Sequence, residues 1–278
     1  YRVEVKDLEV SAQLVGPPNT LRKGQPAVRV DFSVWLDPAE PVAKIAVQDQ
    51  ELLLREGEWS GWVPVKFELV PYLARVSGIC RFYLKGVRPR FQLYVSPLNL
   101  DPSDPALPLS TPADYAHELW ETAGYFHTQG IAEDTKALSG GILNDEEFLA
   151  QARTVLDENL KLFDLELERF RAGVLFFYFS SLDQNAHMFW RAFDARHPAH
   201  SRELAAHHAA VLEELYQEMD RVLGKVVAKL DENTTLLVLS DHGFAPYYRS
   251  FNLNTWLLEN GYAARAPGVP AGAEFLVG

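Results

Sequence analysis

The stretch TTLLVLSDHGF, residues 234–244, runs from residues suited to a buried strand directly into an acid and an imidazole. An earlier segment, AGVLFFYFS at 172–180, is apolar almost throughout and is followed by SLDQNAH, which holds the same two residue types. Between them lies a predicted long helix that Ser201 can cap and whose apolar stripe runs from Leu204 to Leu230. Two apolar strands joined by a helix predict a parallel β-helix-β unit with a right-handed crossover.

The rest of the chain divides into a β-rich part and a helical part. Residues 1–99 alternate apolar and polar side chains in short bursts between turn residues, which indicates an all-β unit. A proline-rich stretch follows, and the helical segment 111–171 contains a start signal at Asn144 with three acids in its first turn. We therefore expect an α/β protein with an accessory β-rich domain at 1–99 and an α/β core at 100–278.

Composition and charge limit the class of protein. Of the 278 residues, 47% are hydrophobic and 23% charged, the balance of a soluble globular protein. The formal net charge of -12 argues against a nucleic-acid duplex as partner, because that affinity rests on Lys and Arg neutralising phosphates. No apolar run reaches the length of a membrane span, and the single cysteine, Cys80, leaves the fold independent of disulfides. We therefore predict a cytoplasmic protein.

The acids and imidazoles that follow the two predicted strands form two pairs. Asp183 and His187 have the four-residue spacing that places side chains on one helix face, while Asp241 and His242 are adjacent and precede the flexible Gly243. Ligands of an open parallel sheet bind beyond the carboxyl ends of its strands, so both pairs should lie at one edge. Carboxylate oxygen and neutral imidazole nitrogen are ligands for Zn²⁺, and two pairs predict two metal ions.

Each pair taken alone also has a structural explanation. An Asp-His dipeptide is commonly a cap beside a surface imidazole, and an Asp-His pair at helical spacing is commonly an ordinary structural pair. The metal prediction therefore rests on finding both pairs directly after apolar strands of the same β-helix-β unit.

Three signatures resemble the type I phosphodiesterase and nucleotide pyrophosphatase branch of the alkaline phosphatase superfamily: DQNAHMFW at 183–190, SDHGF at 240–244 and FNLNTWLLENGY at 251–262. The sequence also resembles the family in four further stretches, REGEWSGW, CRFYLKG, YVSPLNLDP and HTQGIAEDTKAL. The resemblance therefore covers nearly the whole chain. It implies a partial alkaline-phosphatase-like parallel sheet with flanking helices, in which the β-rich residues 1–99 form an insert domain.

The resemblance also implies which residues hold metal. Asp183 and His187 would bind one zinc ion and Asp241 with His242 the other, with Mn²⁺ or Mg²⁺ as alternative ions. Family members complete the site with an Asp near their N-terminus, a Thr or Ser nucleophile and a further His downstream, and none of these has a matching position here. Because the chain also begins without Met and stops in the apolar run AEFLVG, we expect an inactive fragment that lacks the catalytic nucleophile.

The implied reaction is hydrolysis of a phosphodiester or nucleotide pyrophosphate bond in a small phosphorylated or nucleotide-type substrate. A Thr or Ser would attack the phosphorus, and water would then release the covalent intermediate. Arg249, close after SDHGF, is a candidate contact for the substrate phosphate, with an ordinary surface arginine as the alternative.

Two other functions stay open at this point. One is another activity of the same superfamily, such as that of a phosphomonoesterase, a sulfatase or a phosphoglycerate mutase relative, because paired Asp and His ligands recur there. The other is a non-catalytic module in which the β-rich unit mediates assembly and the acids are residual.

Overall fold

The structure, a computed structural model, describes residues 3–19, 21, 24 and 27–265, so the run AEFLVG lies outside the described residues. Strands occupy the first part and helices the rest. The strands are β1 (Glu9–Val15), β2 (Arg29–Leu36), β3 (Val42–Val47), β4 (Gln50–Arg55), β5 (Glu58–Trp59), β6 (Val63–Val70), β7 (Ala74–Cys80), β8 (Phe82–Gly86), β9 (Gln92–Val95) and β10 (Asn99–Leu100). The helices are α1 (Tyr115–Ala123), α2 (Thr135–Ser139), α3 (Asp145–Arg169), α4 (Ser181–Phe193), α5 (Arg202–His208), α6 (Val211–Val227) and α7 (Leu253–Glu259).

The β-rich part is built from antiparallel sheets with a core of its own. β1 to β4 are successive neighbours in one sheet, while β10-β7-β6 and β5-β8-β9 form two smaller ones. Alternate side chains of β2 are buried, as the period-two pattern predicts: Val30, Phe32, Val34 and Leu36. They join buried residues of the neighbouring strands in one hydrophobic cluster. Burial of each large apolar side chain contributes about 1.5–3 kcal/mol relative to exposure, so this part carries its own stabilising core.

Helix α3 begins where the sequence signal predicts. The Asn144 side chain accepts from the Glu147 backbone N–H at 2.9 Å, and the Glu147 side chain accepts from the Asn144 N–H at 2.8 Å. This reciprocal capping box satisfies two otherwise unpaired donors and confirms the predicted start. None of the helices formed by the described residues combines the length and the apolarity that crossing a bilayer requires.

The predicted long helix after Ser201 is in fact two helices. Ser201 does cap the first, since its hydroxyl accepts from the Leu204 N–H at 3.0 Å. That helix, α5, ends at His208, whose imidazole is buried against the ring of Phe189 in α4 with centroids 5.2 Å apart. The chain then turns before α6 begins, so a tertiary contact accompanies a break that the continuous apolar stripe did not predict.

The described residues combine strands and helices, as the α/β class requires, but they do not contain the predicted parallel sheet. Neither 172–180 nor 234–240 is a strand, and every sheet in the described part of the chain is antiparallel. A central strand needs hydrogen-bonded neighbours, and no described segment pairs with either stretch. Leu237 and Leu239 are more than 70% exposed, which also corrects the expectation of strands covered on both faces.

Segment 172–180 nevertheless has one covered face. Leu175, Phe177 and Phe179 are partly buried and pack against a cluster from α3 and α6, whereas the intervening Val174 and Phe176 are exposed. This alternation is the burial pattern of an extended chain with one face on helices. The helices therefore position the end of this segment, where α4 begins.

Contacts also join the β-rich part to the helices. Tyr83 of β8 and Tyr94 of β9 belong to the same buried cluster as Phe148 of α3. Lys85 of β8 pairs with Glu147 of α3 at 2.7 Å, with both side chains largely buried. The predicted domain boundary at residue 99 stays a prediction, and this packing lies across it.

Cys80 provides a test of the β core. Its thiol is fully buried, and burial raises the pKa of the thiol to about 12. Because the thiolate is the reactive form, we expect the folded protein to be unreactive toward a disulfide reagent such as DTNB at mildly alkaline pH. Denaturant should release one full equivalent. Rapid reaction of the folded protein would show that the core around Cys80 opens readily.

Candidate functional site

Helix α4 carries the first predicted pair. The helix starts directly after segment 172–180, so Asp183 lies in its first turn and His187 one turn later. His187 Nε2 lies 3.5 Å from Asp183 Oδ1, as the spacing on one helix face predicts. The apolar residues Ala186 and Phe189 are buried in the cluster shared with α3 and α6, which fixes the rotation of α4 and leaves the His187 side chain 54% exposed.

The second pair lies on a loop, residues 241–248, that runs beside α4 in the same direction. His242 Nε2 is 3.8 Å from Asp183 Oδ1, at the beginning of the helix. Two residues later, Phe244 packs edge-on against His187, with ring centroids 4.9 Å apart, and against Trp190 at 5.0 Å. The loop therefore contacts α4 at successive turns, and this packing brings the two predicted pairs together.

The C-terminal end of the 241–248 loop is hydrogen-bonded to the C-terminal end of α4. Tyr248 donates a hydrogen bond to Asp194, the residue that caps the helix, and the guanidinium Nε of Arg196 donates to the same carboxylate at 3.1 Å. Hydrogen bonds from Arg196 and then Tyr248 hold the pKa of the Asp194 carboxyl well below its ordinary value. Because the pKa is lowered in the folded protein, the ionised Asp194 carboxylate stabilises the fold at neutral pH. This stabilisation is lost only in strong acid, as the carboxylate becomes protonated.

The atoms at the centre of the cluster suit a cation. Asp183 Oδ2 accepts from Gln184 Nε2 at 3.0 Å, whereas Oδ1 is buried and has no hydrogen-bond partner. His242 Nδ1 lies 3.0 Å from the carbonyl oxygen of Gly243, and a carbonyl can only accept, so Nδ1 carries the proton. In the neutral form of this imidazole Nε2 is an acceptor, 3.8 Å from Asp183 Oδ1, and an imidazole nitrogen beside a carboxylate oxygen is a donor set that a divalent cation can bind.

The distances describe an open cluster rather than a closed set of ligands. Adjacent ligands on a tetrahedral zinc ion lie about 3.3 Å apart, given bonds of about 2.0 Å. The separations of Asp183 Oδ1 from His187 and His242, 3.5 and 3.8 Å, are slightly longer. Asp241 is 80% exposed and lies 3.7 Å from His242. In the part of the chain that the structure describes, no three His, Cys, Asp or Glu side chains are arranged tightly enough to hold an ion.

Arg249 is not brought to this cluster. Its side chain is exposed, and among the described residues no hydrogen bond or ion pair links it to Asp183, His187, Asp241 or His242. Its role as a phosphate contact stays a prediction.

Three side chains that shape the cluster were missed by sequence reasoning. Gln184 and Phe244 stand inside the signatures DQNAH and SDHGF, so their position beside the predicted ligands was the available signal. Glu133 lies in HTQGIAEDTKAL, which also resembles the family, but nothing in the sequence connected this stretch with either pair, far along the chain. In the structure it is buried and accepts a hydrogen bond from Ser181, the first residue of α4.

Comparison with known proteins gives one match. A family model described as Type I phosphodiesterase / nucleotide pyrophosphatase matches residues 82–276 of the 278. The matched range begins at β8 and includes α4 and the 241–248 loop, and thus all four predicted metal ligands. No curated protein and no solved structure matches the chain.

Substitution of two neighbouring tyrosines tests whether the Tyr248–Asp194 hydrogen bond holds the 241–248 loop in place. Tyr248→Phe removes only the hydroxyl that reaches Asp194, while Tyr247 is 71% exposed and makes no side-chain hydrogen bond to any described residue. We expect backbone amides of the loop to exchange with deuterium severalfold faster in Tyr248→Phe than in wild type. Tyr247→Phe should exchange as wild type does. Equal rates in all three proteins would show that this hydrogen bond does not hold the loop.

Proposed function

Because the chain belongs to the type I phosphodiesterase / nucleotide pyrophosphatase family, we propose that it acts in the metal-dependent hydrolysis of phosphodiester or nucleotide pyrophosphate bonds. The family is one of hydrolases with these two activities. The observation that carries the proposal is the approach of His187 and His242, from segments more than fifty residues apart, to the unpartnered oxygen of Asp183.

Two pairs of residues in this chain would each bind one of two divalent ions. Asp183 with His187, and Asp241 with His242, are the proposed ligand pairs, with zinc as the first choice of ion and Mn²⁺ or Mg²⁺ as alternatives. When bound, such ions supply positive charge that stabilises phosphoryl oxygens and activates a nucleophile. Gln184 binds one oxygen of Asp183 and so leaves the other free for an ion.

A small phosphorylated or nucleotide-type substrate suits the exposure of the cluster. The side chains of His187 and His242 are 54% and 56% exposed, so the proposed ion sites are open to solvent along one side. Arg249 follows the loop and is proposed, on its charge and its place in the sequence, to meet a substrate phosphate.

We further propose that the nucleophile comes from outside residues 1–278. The nearby serine hydroxyls are all engaged: Ser180 and Ser181 donate to Glu133, and Ser240 donates to the backbone carbonyl of His242 at 2.6 Å. Ser180 and Ser181 are buried, so a substrate phosphorus cannot reach their oxygens. Ser240 donates to a backbone carbonyl, which cannot act as the general base that an attacking hydroxyl needs.

Metal binding tests the ligand assignment directly. We expect wild-type protein to bind Zn²⁺ in calorimetric titration at neutral pH, and Asp183→Asn and His187→Ala each to weaken binding by at least about 100-fold, since even partners of ligands cost about 10- to 100-fold. His207→Ala is the matched control, because it removes an exposed imidazole from α5. Absent binding in wild type, or an equal loss in His207→Ala, would contradict the proposal.

Hydrolysis tests the missing nucleophile. We expect residues 1–278, supplied with zinc, to hydrolyse bis-p-nitrophenyl phosphate no faster than the double variant Asp241→Ala/His242→Ala, because the serine hydroxyls described beside the cluster are buried or bound to a backbone carbonyl. The release of p-nitrophenolate measures the rate. Metal-dependent turnover that disappears in the double variant would show that the residues of this chain suffice for hydrolysis and would overturn the proposal of an external nucleophile.

A further inference from the structure

A buried carboxylate touches the beginning of the helix that carries Asp183. Glu133 is 2% exposed, and its carboxylate accepts hydrogen bonds from the Ser181 hydroxyl at 2.8 Å and the Ser180 hydroxyl at 3.4 Å. Ser180 and Ser181 are themselves buried, as the N-cap and the first residue of α4, and Ser180 makes no side-chain capping bond of its own. The position of Asp183, two residues further on, is therefore tied to Glu133.

The segment around Glu133 is itself held from two other elements. Gln151 of α3 donates to the Ala132 carbonyl at 2.8 Å and accepts from the Asp134 N–H at 3.1 Å, so it binds the backbone on both sides of Glu133. Tyr94 of β9 donates to the Asp134 carboxylate at 2.6 Å. A chain of hydrogen bonds thus runs from α3 and the β-rich part through Glu133 to α4, which is how a site is held rigidly in one geometry.

Stability alone gives little reason for a carboxylate at this position. Glu133 forms no ion pair within the described part of the chain, and burying a charge without a cation is costly. The positive end of α4 offsets part of that cost. Burial, followed by the negative charges of Asp183, Asp241 and Glu133, raises the pKa of Tyr178, so these carboxylates share one negative environment.

We propose that Glu133 is a positioning residue for the metal site. Through Ser180 and Ser181 it fixes the first turn of α4, so that Asp183 Oδ1 faces His242, and its charge adds to the attraction for a cation at that oxygen. This inference rests on the proposed function, since it concerns the same site. Glu133 does not itself contact the ion or the substrate.

A positioning role and a purely structural role predict opposite signatures. A structural residue loses stability when it is replaced, and ligand affinity falls only because the fold is weakened. Replacing Glu133 by the isosteric Gln removes a charge that is buried without a cation, so the metal-free protein should be no less stable. Affinity for Zn²⁺ should nevertheless fall, because both the orientation and the field at Asp183 change.

The experiment compares zinc affinity with the melting temperature of the metal-free chain. We expect Glu133→Gln to bind Zn²⁺ roughly 10- to 100-fold more weakly, with its melting temperature unchanged or raised. Ser181→Ala, which keeps the charge but removes the 2.8 Å hydrogen bond, should also weaken binding, by a smaller factor. Val47→Ala, in the distant β core, should lower the melting temperature and leave zinc affinity unchanged.

The possible outcomes distinguish failure of the positioning role of Glu133 from failure of the proposed function. Glu133→Gln binding zinc as tightly as a wild type that does bind would overturn the positioning role alone. An affinity loss accompanied by a lower melting temperature would make Glu133 a structural residue and overturn the role as well. Absence of zinc binding in wild type would overturn the proposed function, and the positioning role would fall with it.

Discussion

The packing of the 241–248 loop along α4 is the contact on which the site depends. Phe244 packs against His187 and Trp190, and Tyr248 is hydrogen-bonded to Asp194 at the end of the helix. The loop is therefore anchored to α4 by an apolar contact and by a hydrogen bond. Neither anchor uses a hydrogen bond to one of the four predicted ligands. The apolar and polar anchors therefore place His242 opposite Asp183, whose Oδ1 has no hydrogen-bond partner among the described residues.

The position of α4 in turn depends on the helices and strands that pack against its buried face. α4 and α6 pack together with α3, and the same buried cluster extends to Tyr83 and Tyr94 of the β-rich part. The largely buried Lys85–Glu147 pair adds a directional contact between strand β8 and helix α3. The β-rich part thus supports the helices that carry the site, and the Tyr94 hydroxyl reaches the loop that holds Glu133. The described residues of the β-rich part therefore support the site through α3 and through the segment around Glu133.

The predictions that the structure confirmed concern short stretches of chain. The alternation in β2, the capping box at Asn144 and the Ser201 cap each depend on residues within one element, so local sequence determines them. The four-residue spacing of Asp183 and His187 likewise follows from helix geometry. The break after α5 and the absence of paired strands at the two apolar segments arise from contacts, or missing neighbours, elsewhere in the fold.

The sequence by itself determined the residue types of the site, the family resemblance and the helix or strand preference of most segments, because these are written in composition, spacing and periodicity. Only the tertiary structure decided that His242 lies against Asp183, that Asp241 stays at the exposed rim and that Glu133 is buried at the start of α4. The physical reason is that each of these facts joins segments far apart in the chain. Their distance in space depends on how helices and sheets pack, which no local pattern records.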